Sequence, residues 1–344
     1  MSLIQTILII LFAICSVLLF VQPESKRLKR ILIAAFYVAL LLVVVFRSPN
    51  MADYNQYADS LKGYGGTRLE PGFHIIKTIA SILGNPAFWG LTIFGILSVS
   101  ARFLYIIKYS EYIWGMLLVY MSNVLVTQDM IAIRAAVASS IIFFAIDYKF
   151  KKDWKKSLIC LFFAVFFHYS AIACLVLFLL NPHKHYRWLY LSALIISHVM
   201  AYYGFNLNQY LGLIATVEAG EVLYNMYENS TELNVFNLLQ IGHVLVCCFL
   251  WLFVGRIRKQ EERCVIYLKL YTIGLCTVPL LAGMIAVATR LSELFLTVEI
   301  ILIPIGFFAV FRNRVFGRLA LLFYCIIIFY FSITNIQYWD PQLY

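Results

Sequence analysis

The chain has 344 residues, of which 63% are hydrophobic and only 13% are charged. A soluble domain keeps about a quarter of its residues charged, so this composition excludes a soluble globular protein. The apolar runs are continuous, which excludes the alternating pattern of an outer-membrane barrel and predicts an all-α, polytopic integral membrane protein.

The apolar runs predict about 10–12 transmembrane helices, with one or two short helices that re-enter the membrane or lie at its surface. We expect a single transmembrane domain over residues 1–344. Residues 3–22 lack the basic n-region and cleavage site of a signal peptide, so they form the first helix. The predicted spans are 3–22, 29–46, 87–107, 112–127, 130–147, 157–180, 188–204, 235–254, 265–289, 291–311 and 315–334.

The net charge of +10 is concentrated in short basic stretches. Such stretches mark the cytoplasmic side of a membrane protein and contact anionic lipid, which explains them better than nucleic-acid binding does. With this side assigned, residues 47–86 form an outer loop with a short helix, and residues 205–234 form an acidic outer loop. The basic stretches are 24–30, 149–156, 256–263 and 312–318.

If all four basic stretches are cytoplasmic, two apolar segments cannot be simple membrane-crossing helices. Stretches 24–30 and 149–156 are both assigned to the cytoplasm, so the chain must cross the membrane an even number of times between them. The four predicted spans there already satisfy this, so residues 71–84 ("PGFHIIKTIASILG") form a short helix that does not cross. Residue 156 is assigned to the cytoplasm and residue 205 to the outside, so the chain must cross an odd number of times between them, although two spans are predicted there. Span 157–180 is therefore interpreted as broken, and "FHYSA" marks the position of the break. Irregular backbone at membrane depth persists only where it is buried in protein or lines a wet cavity. We therefore expect a re-entrant hairpin with His168 facing a polar cavity.

Polar residues from five distant stretches converge on the predicted outer side. Arg134 lies one turn into the outer end of span 130–147, and Arg290 lies at the outer junction of spans 265–289 and 291–311. Purely structural explanations exist, because Arg290 could pair with Glu293 on one helix and Arg134 could reach toward headgroups. The converging residues are Asp53, Tyr54, Tyr57, Glu70, Arg134, His168, Arg290 and Glu293.

The residue types at this predicted site indicate a particular chemistry. Charged side chains in membrane spans are rare and usually face a cavity or a pathway. Arginine forks match phosphate oxygens, so Arg134 and Arg290 are the predicted ligands of a lipid diphosphate. Carboxylates and imidazole accept protons from hydroxyl groups, so His168, Asp53 and Glu70 are the candidate catalytic bases. The sequence does not rank these three well, although His168 is favoured because it lies within the membrane boundary.

Six spaced motifs run through nearly the whole chain. They are "DYNQY" (53–57), "EPGF" (70–73), "IAIRAAVASSI" (131–141), "FFHYSAI" (166–172), "ATRLSELF" (288–295) and "QYWDPQLY" (337–344). In their order and spacing the chain resembles the EpsG family of bacterial exopolysaccharide proteins, within the broader group of Wzy-type polysaccharide polymerases. The supporting residues of the predicted site are Tyr54, Tyr57, Tyr169, Ser170, Glu293 and Tyr338.

The resemblance implies an enzyme, a glycosyltransferase that polymerises an O-antigen, a capsule or an exopolysaccharide. Such an enzyme transfers a growing glycan from undecaprenyl diphosphate onto the non-reducing end of a new lipid-linked repeat unit at the periplasmic or outer face. The implied fold is an all-helical, GT-C-like membrane glycosyltransferase in the bacterial inner membrane. The implied partners are membrane lipid, a flippase and a chain-length regulator, with no nucleic acid, no cofactor and no metal.

Other functions remain open at the level of the sequence. An O-antigen ligase or another GT-C lipid-sugar glycosyltransferase would share the architecture and the arginines and would differ in its acceptor. A polysaccharide or lipid transporter or flippase would also keep polar groups in a cavity, but it should show repeats or paired broken helices in two halves, and the sequence shows neither pattern. A purely structural membrane subunit is disfavoured by the intramembrane charges.

Overall fold

The structure of the chain, a computed structural model, describes residues 2–64, 70–205 and 233–340. Every regular element in these ranges is a helix, which confirms the all-α, polytopic class. Among the described residues, four helices are long and apolar enough to cross a membrane, and two bent helix pairs raise this number to as many as six. Several predicted spans are therefore present as shorter or broken helices.

The helices are numbered in chain order. They are α1 (Leu3–Phe20), α2 (Lys26–Val45), α3 (Tyr54–Lys62), α4 (Pro71–Ile82), α5 (Pro86–Ile106), α6 (Ile113–Val119), α7 (Ile133–Phe150), α8 (Trp154–Phe167), α9 (Arg187–Tyr202), α10 (Leu238–Leu252), α11 (Val254–Gln260), α12 (Cys264–Leu280), α13 (Ile285–Leu296), α14 (Glu299–Val310), α15 (Arg314–Thr334) and α16 (Ile336–Trp339). Two 3₁₀ segments, Ile107–Tyr109 and Tyr169–Phe178, and one π-helical segment, Tyr120–Ile131, complete the described elements.

The described residues fall into two compact units, Met1–Leu175 with Ile300–Tyr344, and Val176–Glu299. In the first unit α5 is the central element, and it packs against α2, α3, α4 and α7. Two glycines allow this close packing, because a Cβ at Gly90 would lie 2.6 Å from Leu61 and one at Gly95 would lie 2.8 Å from Val44. Helix α1 and helix α2 bury only narrow stripes, which leaves broad apolar faces for lipid.

In the second unit α12 is the central element, and it packs against α9, α10, α11 and α13. Close approach to α13 depends on Gly274, where a Cβ would lie 2.9 Å from the Cβ of Phe295 and 3.2 Å from the carbonyl oxygen of Ser292. At the boundary of α10 and α11 the chain bends by 75° at Phe253. Most of the predicted acidic loop 205–234 lies outside the described residues.

The short helix predicted after Glu70 is present as α4, and it begins at Pro71, whose fixed φ suits the first helical position. A second helix in this loop, α3, was not predicted. The predicted break in span 157–180 is also confirmed. Helix α8 ends at Phe167, His168 is extended with φ −154° and ψ 112°, and the chain continues as the 3₁₀ segment Tyr169–Phe178.

The predicted boundary between spans 265–289 and 291–311 is wrong. Helix α12 contains Pro279 and ends one residue later at Leu280. Helix α13 then begins at Ile285 and runs through the predicted junction to Leu296. Arg290 therefore lies within a helix, whereas the prediction placed it at a junction between two spans.

Candidate functional site

Glu70, Arg134 and His168 come together in the first unit, although they are distant in sequence. The Nη1 of Arg134 forms an ion pair and hydrogen bond with the Oε1 of Glu70, and the Nδ1 of His168 lies 3.6 Å from the same oxygen. The side chains retain only 12%, 7% and 12% of their exposure for Arg134, Glu70 and His168 respectively. We call these three residues and Tyr57 the polar site.

The motif "EPGF" explains how Glu70 reaches His168. Glu70 is the extended residue before α4, with φ −69° and ψ 126°. Two residues later, a Cβ at Gly72 would lie 2.7 Å from Cδ1 of Phe167 and 3.0 Å from the carbonyl oxygen of Phe166. Only glycine lets the first turn of α4 approach the end of α8 this closely, and His168 is the next residue after α8.

Tyr57 on α3 holds Arg134 from the other side. The Nε of Arg134 donates to the hydroxyl oxygen of Tyr57 at 3.4 Å, and the guanidinium carbon lies 5.6 Å from the centre of the tyrosine ring. A buried apolar cluster lies beneath these contacts and fixes α3, α4, α5 and α7 against each other. Its members are Tyr57, Leu61, Phe73, Ile76, Leu91, Phe94, Ile133 and Val137.

The environment of Glu70, which lies outside the candidate membrane-spanning helices, keeps it ionised. Burial by itself would raise the pKa of this carboxyl, but its interaction with His168 and the charge of Arg134 outweigh burial and lower the pKa from 4.5 to about 2. A carboxylate with so low a pKa is a weak base, because general-base efficiency is greatest when the pKa is near the working pH. Glu70 is therefore better suited to orienting His168 and Arg134 than to accepting a proton from substrate.

Arg134 combines two features that favour an anion. It lies in the first turn of α7, whose N-cap residue, Ala132, provides no side-chain cap, so the backbone N–H groups at this end lack a capping side chain. Its guanidinium has five N–H donors, and Nη2 makes no hydrogen bond to any residue that the structure describes. Arg134 can therefore keep its pairing with Glu70 and still donate to a phosphate oxygen.

Asp53 lies at the start of α3, one helical turn before Tyr57, and its backbone oxygen accepts from Tyr57 N at 3.0 Å. Its φ of 60° is a left-handed conformation that is uncommon outside glycine, although aspartate tolerates it better than most residues. The neighbouring Ala52 N donates to Tyr338 O at 3.1 Å, so the predicted residue Tyr338 lies beside this turn. Tyr54 packs at the edge of the apolar cluster.

The other predicted residues occupy separate positions. Tyr169 is exposed and Ser170 is half-buried in the segment that follows His168. Arg290 and Glu293 lie in the second unit, half-buried on α13. The joint use of Arg290 and Arg134 on one diphosphate stays a prediction. Among the described residues, no three His, Cys, Asp or Glu side chains form a group that could hold a metal ion.

Sequence reasoning missed a fully buried ion pair in the first unit. Arg102 Nε lies 3.3 Å from Asp129 Oδ2, and Tyr120 donates to the same oxygen at 2.8 Å. Arg102 also donates to Gln128 Oε1 at 2.6 Å and to Ser139 Oγ at 2.9 Å. Asp129 belongs to the π-helical segment that leads directly into Arg134, and such segments often occur at functional sites. The sequence did offer an indication of this pair, because Arg102 and Asp129 are charged residues that interrupt apolar runs.

A second group of buried polar side chains, in the second unit, was also not predicted from the sequence. His243 Nδ1 lies 2.6 Å from the hydroxyl of Tyr271 and 3.7 Å from Oε2 of Glu299. All three side chains are buried. Glu299 was visible in the sequence as a charge within a span, but nothing in the spacing indicated His243 as its neighbour.

These features define a polytopic helical membrane protein with an Arg–Glu–His cluster held at a broken helix. The chain belongs to the EpsG family, whose model matches residues 30–342, nearly the whole chain. This family is associated with polysaccharide-polymerase-type membrane proteins. No curated protein and no solved structure matches the chain.

Proposed function

We propose that the protein is a glycosyltransferase that polymerises lipid-linked oligosaccharide repeat units. The growing glycan would be transferred from undecaprenyl diphosphate onto the non-reducing end of a new lipid-linked unit, at the periplasmic or outer face of the bacterial inner membrane. The observation that carries the proposal is the meeting of Arg134, Glu70 and His168 in one nearly buried cluster. Membership of the EpsG family supports the same reaction class.

The arginine has the role of stabilising the leaving group. When the sugar–phosphate bond breaks, negative charge grows on the departing diphosphate, and prearranged donors stabilise that charge. Arg134 is prearranged by Glu70 and by the Tyr57 ring, and the N-terminus of α7 adds backbone donors. Arg290 is the second proposed donor.

His168 is the proposed base. The acceptor hydroxyl oxygen attacks the anomeric carbon, the bond to the diphosphate oxygen breaks, and the hydroxyl proton passes to His168 Nε2. Glu70 faces Nδ1 at 3.6 Å, so it favours the tautomer whose proton is on Nδ1 and whose lone pair is on Nε2. Direct displacement of this kind inverts the configuration at the anomeric carbon. Asp53, one turn from Tyr57, is the remaining candidate base.

The test uses the purified protein in proteoliposomes with lipid-linked repeat units, and the products are separated on a gel. The proposal expects a ladder of products. His168→Gln keeps a hydrogen-bonding side chain without a basic site, so turnover should fall by about 10²–10⁴-fold while lipid-linked substrate still binds. His74→Gln, the same substitution at an exposed histidine on α4, is the matched control and should polymerise normally.

Other outcomes would assign a different base or a different function. Near-normal turnover by His168→Gln would assign the base to Asp53. A single transfer to an acceptor without a lipid diphosphate would indicate a ligase, and movement of intact lipid-linked units without new glycosidic bonds would indicate a flippase. The flippase and chain-length regulator proposed as partners are absent from this assay, so a ladder would show that neither is needed for bond formation.

The proposed orientation has a separate test. We expect an impermeant thiol reagent added outside intact cells to label a cysteine at position 228 and not one at position 155 or 259, in a cysteine-free background. The reason is that basic stretches remain cytoplasmic, whereas the acidic loop contains no Lys or Arg. Labelling of position 228 only after the membrane is opened would reverse the assigned sides.

A further inference from the structure

A basic pocket lies in the second unit, where α9 begins and α10 gives way to α11. It is a cavity of about 800 Å³. Five cationic side chains line it together with a tryptophan, namely Lys184, Arg187, Arg256, Arg258, Lys259 and Trp188. Arg256, Arg258 and Lys259 belong to the basic stretch 256–263, which the sequence assigns to the cytoplasmic side.

The positive charge of this basic pocket is only partly balanced. Glu262 pairs with Arg258 at 3.2 Å and with His183 at 3.0 Å. Lys184 and Lys259 form no ion pair with any residue in the described parts of the chain. A concave surface that concentrates unpaired cations attracts an anion.

Specific interactions fix the shape of the pocket walls. Lys269 is buried on α12, and its Nζ donates to the carbonyl oxygens of Asn181 and Lys184 at 2.6 and 2.5 Å. The side chain of Asn181 in turn accepts from the backbone N–H of His183 at 2.9 Å. On the opposite wall, the 75° bend between α10 and α11 redirects the chain that carries the arginines and Lys259. A buried lysine thus holds one wall in place, and a bend in the backbone shapes the other.

The surroundings of the pocket favour a lipid over a soluble anion. Trp188 and Leu189 are exposed at the start of α9, and Leu252 is exposed at the end of α10, beside the cationic side chains. Tryptophan is enriched where a membrane meets water. Arg187 Nη1 lies 3.5 Å from Leu252 O, so charge and apolar surface meet at one point. An acyl chain could extend along the exposed apolar faces of α9 and α10 while its phosphate occupied the pocket.

We propose that the basic pocket binds the phosphate headgroup of an anionic phospholipid at the predicted cytoplasmic membrane surface. Cation-lined pockets between helices on this side of a membrane bind such headgroups. The bound lipid would fix the junction of α10 and α11, because its phosphate would bridge cations from both walls. This proposal does not depend on the proposed polymerase reaction.

The test measures lipid retention by the full-length protein in detergent, by native mass spectrometry, during titration with phosphatidylglycerol or phosphatidylcholine. We expect one phosphatidylglycerol molecule to be retained preferentially. The variant Lys184→Gln/Lys259→Gln should bind it about tenfold to thirtyfold more weakly, because each lysine near an anionic headgroup contributes to attraction. Neither side chain forms an ion pair with a described residue, so folding should be preserved, and thermal unfolding of the variant checks this.

The matched control is Lys151→Gln/Lys155→Gln, which removes the same charge from exposed positions in another basic stretch. It should retain phosphatidylglycerol as the unaltered protein does. Equal loss in both variants would overturn the proposal, since the effect would then be one of net charge. Equal retention of both lipids would also overturn it. Displacement by glycerol 3-phosphate at the concentration at which the lipid binds would show a soluble phosphate ligand and reject the lipid.

Discussion

Replacing Glu70 by Gln removes the carboxylate that Arg134 and His168 share while keeping the size of the side chain. The pKa of Glu70 falls from 4.5 to about 2 in the folded protein. Each pKa unit corresponds to about 1.36 kcal/mol, so the folded environment favours the ionised form by at most about 3.4 kcal/mol. Both partners retain slight exposure, and solvent screening reduces this value. We expect the substitution to lower the free energy of unfolding by about 2–3 kcal/mol.

The assay is a double-mutant cycle with Glu70→Gln, Arg134→Met and the combined variant, each unfolded by denaturant in detergent. The coupling energy isolates the interaction of the two side chains, and we expect about 2 kcal/mol. Asp59→Asn is the matched control. It removes an exposed carboxylate that lies 3.9 Å from Lys62 on the same helix, α3. An exposed pair of this kind should contribute less than about 0.5 kcal/mol.

The same variant has a defined pH dependence. Because folding lowers the pKa of Glu70, its stabilisation is fully present above the unfolded value of 4.5 and is lost as pH falls toward 2. The difference in stability between the unaltered protein and Glu70→Gln should therefore shrink below pH 4.5. A coupling below about 0.5 kcal/mol, or a difference that grows as pH falls, would refute the reasoning that Glu70 is held ionised by its neighbours.

Two further substitutions test the close packing at Gly72 and the buried ion pair of Arg102 with Asp129. Gly72→Ala should destabilise the protein by about 1–3 kcal/mol, because its Cβ would meet Phe167 at 2.7 Å. Gly242→Ala, on a helix with no atom within 4 Å of the new Cβ, is the control and should be neutral or stabilising in thermal unfolding. Asp129→Asn should cost about 3–5 kcal/mol by leaving Arg102 charged and buried, with a matching loss of folded protein in size-exclusion chromatography. Replacing both residues by apolar ones should recover most of that loss, and failure to do so would indicate a role beyond charge balance.

Local sequence determined much of the architecture. Long apolar runs require helices in a membrane, because each helix satisfies its own backbone hydrogen bonds. The start of α4 at Pro71 and the break at His168 follow from local features too, namely the fixed φ of proline and a polar interruption in an apolar run. The spaced motifs were sufficient to indicate the EpsG family, and the match over residues 30–342 confirms that assignment.

Only the tertiary structure decided which polar residues are neighbours. Glu70 lies 64 residues from Arg134 in the chain, and it reaches His168 because Gly72 lets α4 approach Phe167 closely. The pairing of Arg102 with Asp129 likewise joins two helical segments that no periodicity relates. The physical reason is that helix formation depends on contacts a few residues apart, whereas a buried charge is stabilised by whichever partner packing brings within a few ångströms. Sequence patterns therefore locate the charges, and packing determines their pairs and which of them can act as a base.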